Sequence, residues 1–440
     1  MSGGPVLLAG FAVTNQAVAA QLLERGGAVV AADDAPAPDA VARAVALGID
    51  LVAAPGADRW RALVADAEVL VPTPGLPEAH PVMRAAADAG TPVISEFDLA
   101  QRWDSRPRLA VTGTNGKTTV VEMVAAMMEA SGIAAAVAGN TDVPLVEAVR
   151  DPTPATFVVE ASSFRLGHSR CFRPEVGAWL NFAPDHLDVH ASLERYRQAK
   201  ASLWHRVDDD SISVVNGGDP VVAAAAPACG RVVTFGLRHG DFRVSGGALW
   251  AESEKLIDTA ELRRSQPHEL ANALAATAVA MAGGAHVEGV RDALVAWTGL
   301  PHRVALVGER DGVRFYDDSK ATTPHAVCAA VRSVGPAVLI AGGRNKGIDL
   351  GPMVEVVDAV RSVVAIGEAA PEVRRVFAGR CPVAEASSMA DAVRMAADAA
   401  RPGDAVLLSP GCASFDWYGS YAERGDHFTQ QVHELIGGSP

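Results

Sequence analysis

The sequence predicts an α/β protein of three consecutive units, and three observations carry that prediction. Short apolar runs alternate with Ala-rich amphipathic stretches along the whole chain, a pattern that implies parallel sheets with right-handed crossovers. The 440 residues exceed one ordinary domain. A polar, Pro-containing, non-periodic segment at Arg102 to Pro107 interrupts the alternation.

In the first unit, residues 1–103, Pro5 to Gly10 reads as a strand, Gln16 to Gly26 as a helix and Ala28 to Asp33 as a second strand. Val69 to Val71, a helix over His80 to Ala89, and Pro92 to Ser95 as a further strand continue it. The second unit, residues 104–299, opens with a strand at Leu109. It adds strands at Thr156 to Val159, Gly177 to Asn181 and Ile212 to Asn216, with a β-hairpin over Asp241 to Trp250. The third, residues 300–440, has strands at Ala337 to Ala341, Ser362 to Ile366 and Ala405 to Ser409.

Composition removes several function classes. Apolar residues make up 49% and charged residues 20%, enough to build cores and too apolar for general disorder. A net charge of -14 argues against nonspecific nucleic-acid binding, which needs a basic face. Anions must instead be held by a few local cations and helix N-termini. The five cysteines, Cys171, Cys229, Cys328, Cys381 and Cys412, lack CxxC spacing, as expected of reduced thiols. With no signal-like start and no membrane-length apolar run, a cytoplasmic protein without a membrane role is expected.

The strongest local signal runs from Ala110 through Thr112, Gly113, Thr114, Asn115, Gly116, Lys117 and Thr118 to Thr119. It follows a strand and leads into the apolar helix Val120 to Ala130, the setting of a phosphate loop. Glycines let the backbone wrap a polyphosphate, and the helix N-terminus adds positive partial charge. Lys117 suits the β- and γ-phosphates, and the Thr118 hydroxyl suits Mg²⁺. Val111 stands where the usual first glycine falls, so this is a shorter variant. Glu160 ends an apolar strand, where a hard carboxylate oxygen suits Mg²⁺.

Thr112 to Thr118 resembles the ATP loop of the Mur ligases and their folylpolyglutamate synthetase relatives. Supporting motifs follow in that family's order: Glu160-Ala161-Ser162-Ser163-Phe164, Asn181 to Asp188, Tyr196 to Lys200, Asn272 to Ala276, Gly299 to Arg303 and Asp318 to Thr322. Asp317 to Thr322, Ser409 to Asp416 and Glu423-Arg424-Gly425 with Phe428 resemble the members that add D-glutamate to UDP-N-acetylmuramoyl-L-alanine. The resemblance implies a Rossmann-like N-terminal domain, a central P-loop ATPase-like domain and a Rossmann-like C-terminal domain. It also implies ATP and Mg²⁺, an acyl-phosphate intermediate, and a monomer.

Residue by residue, the resemblance implies that Lys117, Glu160, His186 and Lys200 carry the chemistry, with Thr118, Glu160, His186 and Lys200 on Mg²⁺. Lys200 would act as a carbamate, a cation converted to a carboxylate-like ligand. Gly113 to Thr119, Asn272, Arg303 and Asp318 would hold the nucleotide. Val13, Thr14, Asp33, Thr73, Gly75 and Asn140 would face the UDP acceptor. Lys320, Thr322, Lys346, Ser414 and Phe415 would serve D-glutamate, a dicarboxylate that needs a cation and hydroxyl donors.

Several positions depart from the family pattern: Ala12 and Asn15 replace glycines, and Thr141-Asp142 follows Asn140. Arg165 stands for glutamine, Glu269 for asparagine and Tyr421 for phenylalanine. Three alternatives remain at this level: a sibling ligase for another amino acid such as L-glutamate, a nicotinamide-dependent oxidoreductase on the first unit, and a noncatalytic UDP-sugar binder. The lost glycines and the separate ATP loop speak against the second. Retention of Lys117, Glu160, His186 and Lys200 speaks against the third.

Overall fold

In the computed structural model, which describes residues 4–345 and 347–437, alternating strands and helices build three sheets. The chain divides into two compact units, Met1–Thr298 and Gly299–Pro440. The first unit holds two sheets and the second holds one.

The first sheet is short and wholly parallel. Val6–Ala9 lies between Val29–Asp33 and Val69–Pro72, with Leu51–Ala53 at one edge. Its central strands are continuous apolar runs because helices cover both faces. The helix expected at Gln16 to Gly26 runs Val13–Glu24. Pro92 to Ser95 is no strand. Val93 forms only an isolated bridge to Leu70, because Ser95 caps the helix Glu96–Trp103 through a reciprocal bond with Asp98.

The second sheet has nine strands. Arg108–Thr112 lies in its interior between Thr156–Glu160 and Val176–Trp179, parallel to both. The strand Ala135–Gly139, unrecognised in the sequence, forms one edge beside Thr156–Glu160. At the other end Phe242–Ser245 and Ala248–Ala251 pair antiparallel, as the hairpin pattern predicts. Lys117–Ala130 and Pro267–Ala282 pack apolar residues on one face of this sheet.

In the second unit the parallel strands Val313–Asp317, Ala405–Gly411, Ala337–Gly342, Val360–Ile366 and Val383–Glu385 adjoin in that order. Ala305–Arg310 closes one edge antiparallel. Among the described residues, no helix is long and apolar enough to cross a membrane.

Gly342 ends its strand at φ +127, where an added Cβ would sit 2.0 Å from the Ile366 carbonyl oxygen. Gly379 has φ +71 with open space around that position. Gly342→Ala should therefore destabilise the protein by more than the ~1–3 kcal/mol of backbone strain alone, and Gly379→Ala by about that strain. Chemical unfolding of both variants checks this, and equal losses would contradict it.

Candidate active site

The phosphate-loop candidate begins where the buried strand Arg108–Thr112 ends. Asn181 braces the turn from the neighbouring strand's end: its Oδ1 accepts from Asn115 N at 2.9 Å, and its Nδ2 donates to Asn115 O at 3.1 Å. Thr114 Oγ1 lies 3.2 Å from both the Ala183 carbonyl and the Tyr196 hydroxyl. Gly116 caps the helix Lys117–Ala130 at φ +85, and a Cβ there would fall 2.6 Å from Asn272 Oδ1. The turn thus has the conformation, and the close approach of Asn272, that only glycine permits. Thr119 is half-buried in the first helical turn.

Around this turn the structure gathers most of the residues expected to carry chemistry. Lys117 Nζ donates to Gly113 O at 3.0 Å and to Thr114 O at 3.1 Å, lying over the loop. Lys200 Nζ donates to the same Gly113 carbonyl at 2.7 Å, from a side chain that is only 1% exposed and rests on the Tyr196 ring. Burial, then the nearby Lys117 ammonium, holds the Lys200 pKa well below the ordinary lysine value.

Glu160 is buried at the end of Thr156–Glu160. Its Oε2 accepts from the Thr118 hydroxyl at 2.7 Å and its Oε1 from Asn140 Nδ2 at 2.9 Å. His186 sits at φ +53, its ring 4.8 Å from that of Phe164, with Nε2 3.4 Å from Asp185. Burial depresses its pKa; Lys200 and Lys117 add to that, while Asp185 opposes it.

These groups fit a polyphosphate with Mg²⁺. The helix N-terminus and two lysines meet at one glycine turn, and Thr118 and Glu160 offer hard oxygens side by side. Among the described residues no three His, Cys, Asp or Glu side chains form a metal cluster.

Of the expected acceptor residues, Val13, Thr14, Asp33, Thr73 and Gly75 lie along the C-terminal edge of the first sheet, while Asn140 follows the edge strand Ala135–Gly139 of the second. Asp33 accepts from Phe11 N at 2.7 Å and Ala35 N at 2.9 Å, so its carboxylate staples two loops. Thr73 N donates to Ala9 O, Gly75 turns the same loop, and Val13 is exposed at the start of its helix. The departure at Asn15 has a structural reason. Fully buried, its amide nitrogen donates to the Ala9, Gly10 and Val71 carbonyls, binding the loop where the family pattern has glycine.

Sequence reasoning missed two residues that join the first and second sheets. Arg165, 5% exposed, bonds Glu96, Asn140 and Thr14 at once. His190, 3% exposed, lies 3.0 Å from both Glu78 Oε1 and Ser163 Oγ. Arg165 signalled itself as a departure from the pattern; His190 had no local signal. Glu269, another departure, closes a capping box with Gln266 and pairs with Arg264.

In the second unit Thr322, Ser414 and Phe415 line one cavity of about 180 Å³ with Arg344, Cys412 and Tyr421. Lys320 Nζ lies 5.0 Å from the centre of the Tyr421 ring. Lys346 lies outside the described residues. Asp318 accepts from Ser409 Oγ at 2.7 Å and from Val304 N, and burial pushes its pKa up to about 7, with Arg303 opposing. Arg424, 1% exposed, ties Ser319 to the Cys412 carbonyl, joining the Asp318 loop to the Ser414 loop.

Comparison with known proteins decides the family. The description "Mur ligase middle domain" matches residues 111–280, and "Mur ligase, glutamate ligase domain" matches residues 302–412. A UDP-N-acetylmuramoylalanine–D-glutamate ligase of Frankia casuarinae is 41% identical over 99% of this chain and 95% of its own length.

The chain belongs to the Mur ligase family.

A ligase of the same name from Desulfosudis oleivorans is 38% identical over 98% of this chain and 96% of its own. Among solved structures, the UDP-N-acetylmuramate–alanine ligase of Thermotoga maritima covers 98% of this Mur ligase and 100% of its own chain, at TM-score 0.56 and 18% identity. The MurF ligase of the same organism in complex with ADP covers 99% and 95%, at TM-score 0.55 and 17% identity. At such identities these structures establish the shared fold.

The raised pKa of Asp318 fixes the sign of a pH effect. Between the ordinary value of 3.8 and about 7, the folded protein binds this proton more tightly than the unfolded chain, so its stability contribution falls as pH rises through that window. Asp318→Asn should flatten that decline. Denaturant midpoints of wild type and variant at pH 5 and pH 8 test it; an unchanged slope would contradict it.

Proposed function

We propose that this Mur ligase joins D-glutamate to UDP-N-acetylmuramoyl-L-alanine at the expense of ATP, through an acyl phosphate, in peptidoglycan precursor synthesis. The observation that carries the reaction type is the convergence of Lys117, Lys200 and the Thr118–Glu160 pair on one glycine turn. The named full-length relatives support the choice of substrates. A cytoplasmic location and a monomeric state are part of the proposal, as is a division of the first compact unit into an acceptor domain, residues 1–103, and an ATP domain, residues 104–299.

In this reading Gly113 to Thr119 and Asn272 cradle the nucleotide, and Lys117 neutralises charge that spreads over the transferred phosphate. Thr118 and Glu160 would hold Mg²⁺, with His186 and the modified Lys200 near it; the ion supplies further neutralisation of the phosphates. Lys200 is prepared for modification because burial and the neighbouring Lys117 ammonium weaken its protonated form. The amine nitrogen bonds the carbon of CO₂ and sheds a proton, giving a carbamate. Val13, Thr14, Asp33, Thr73, Gly75 and Asn140 orient the acceptor so that its terminal carboxylate meets the phosphate. Arg303 and Asp318 serve the nucleotide, and Lys320, Thr322, Lys346, Ser414 and Phe415 bind D-glutamate, whose amine attacks the acyl carbon and displaces phosphate.

Phosphate release with ATP, the UDP acceptor and either D- or L-glutamate tests the proposal directly. Release should require the D enantiomer, and silence with every amino acid would overturn it. Lys117→Ala should lower kcat by at least about 100-fold, while calorimetry finds acceptor affinity unchanged. Lys200→Ala should lose turnover that acetate partly restores, because the missing group is a carboxylate. Lack of rescue would count against the carbamate alone.

A further inference from the structure

A hydrogen-bonded chain runs from the acceptor loop to the phosphate loop, and its centre is Arg165. Its Nη2 donates to Thr14 Oγ1 at 3.0 Å, its Nη1 to Asn140 Oδ1 at 2.8 Å, and its Nε to Glu96 Oε1 at 3.0 Å. Asn140 Nδ2 then donates to Glu160 Oε1, and Thr118 holds Glu160 Oε2. Arg165 and Glu96 are almost wholly buried, with 6% and 2% of their side chains exposed. Glu96 also accepts from Val146 N at 3.1 Å.

The polarity of this chain is forced. A guanidinium has donors only, so the Asn140 atom that faces Arg165 must be the oxygen. The amide nitrogen must then face Glu160. The ionised Glu160 carboxylate, which only accepts, selects the same orientation from its own side, so Arg165 adds the second anchor: without it the Asn140 oxygen loses its partner and the amide is held at one end only.

Resting on the ligase reading, we propose that Arg165 is a positioning residue of the reaction. It locks the Asn140 amide, and through it the Glu160 carboxylate, and its bond to Thr14 links this lock to the acceptor loop. Glu96 is the counter-charge that allows a guanidinium to be buried there. Groups that orient metal-binding carboxylates typically matter roughly 10- to 100-fold in metal affinity or activity.

Arg165→Met alone would strand the buried Glu96 charge and mix a loss of stability with a loss of positioning, so paired variants are required. Glu96→Gln with Arg165→Met removes both charges and the donor to Asn140. Glu96→Gln with Arg165→Gln removes both charges but keeps a donor, the amide found at this position in the family pattern.

The Met pair should unfold near the wild-type midpoint, yet lose roughly 10- to 100-fold in kcat and in Mg²⁺-dependent ADP affinity measured by calorimetry. Its KM for the acceptor should rise while KM for D-glutamate stays put. The Gln pair should recover most of both losses. A Met pair with wild-type kcat and wild-type Mg²⁺-dependent ADP binding, beside an active wild type, overturns this proposal alone. A wild type that neither releases phosphate nor binds ADP with Mg²⁺ overturns the ligase reading and this proposal together.

Discussion

The site depends on one buried carboxylate. Glu160 ends the strand next to the Ala135–Gly139 edge of the nine-stranded sheet, with both oxygens engaged, one by the Thr118 hydroxyl and one by the Asn140 amide. A carboxylate withdrawn from water must be hydrogen-bonded or neutralised, so this group dictates the placement of its neighbours. Through Thr118 it sets the first turn of the phosphate-loop helix, and through Asn140 it sets the loop after the edge strand Ala135–Gly139. The backbone reinforces the arrangement, since Asn140 N also donates to Glu160 O.

Positive charge is concentrated around that acid in a protein of net charge -14. Lys117 and Lys200 converge on the Gly113 carbonyl, and His186 feels both. Their mutual repulsion and burial weaken the protonated forms of Lys200 and His186. An anionic ligand would relieve that repulsion. The field is therefore made by placing a few cations at a helix N-terminus, and the surface as a whole can remain acidic.

What could be read in the sequence was what is local. The strand-turn-helix at Leu109 to Ala130 carries its glycines, lysine and threonines in succession, so its form and chemistry were both legible. The helices Pro38–Leu47 and Ala57–Asp66 and the strand Ala135–Gly139 were not recognised. Ala57–Asp66 does carry a helical signal in the spacing of Trp60, Leu63 and Val64, but Pro38–Leu47 buries only alanines, Ala40 and Ala44, and an alanine-rich edge strand lacks the β-branched residues that mark strands. In the site, Lys117, Thr118, Glu160 and Lys200 were legible as motif members. The partners of Asp33 and Asn15 were not, because they are backbone groups brought together only when the loops fold.

Arg165 shows the limit most clearly. Its partners lie 25, 69 and 151 residues away in sequence, and no periodicity or spacing connects them. As a substitution for glutamine it reads as a disturbance of the site. In the fold it is a donor-only group facing an ambivalent amide, with Glu96 buried beside it as counter-charge. Unlike a glutamine amide, which can present either end to Asn140, a guanidinium can only donate. The departure from the pattern therefore narrows the ways this hydrogen-bonded chain can be oriented, and it does so only because a glutamate 69 residues earlier accompanies it.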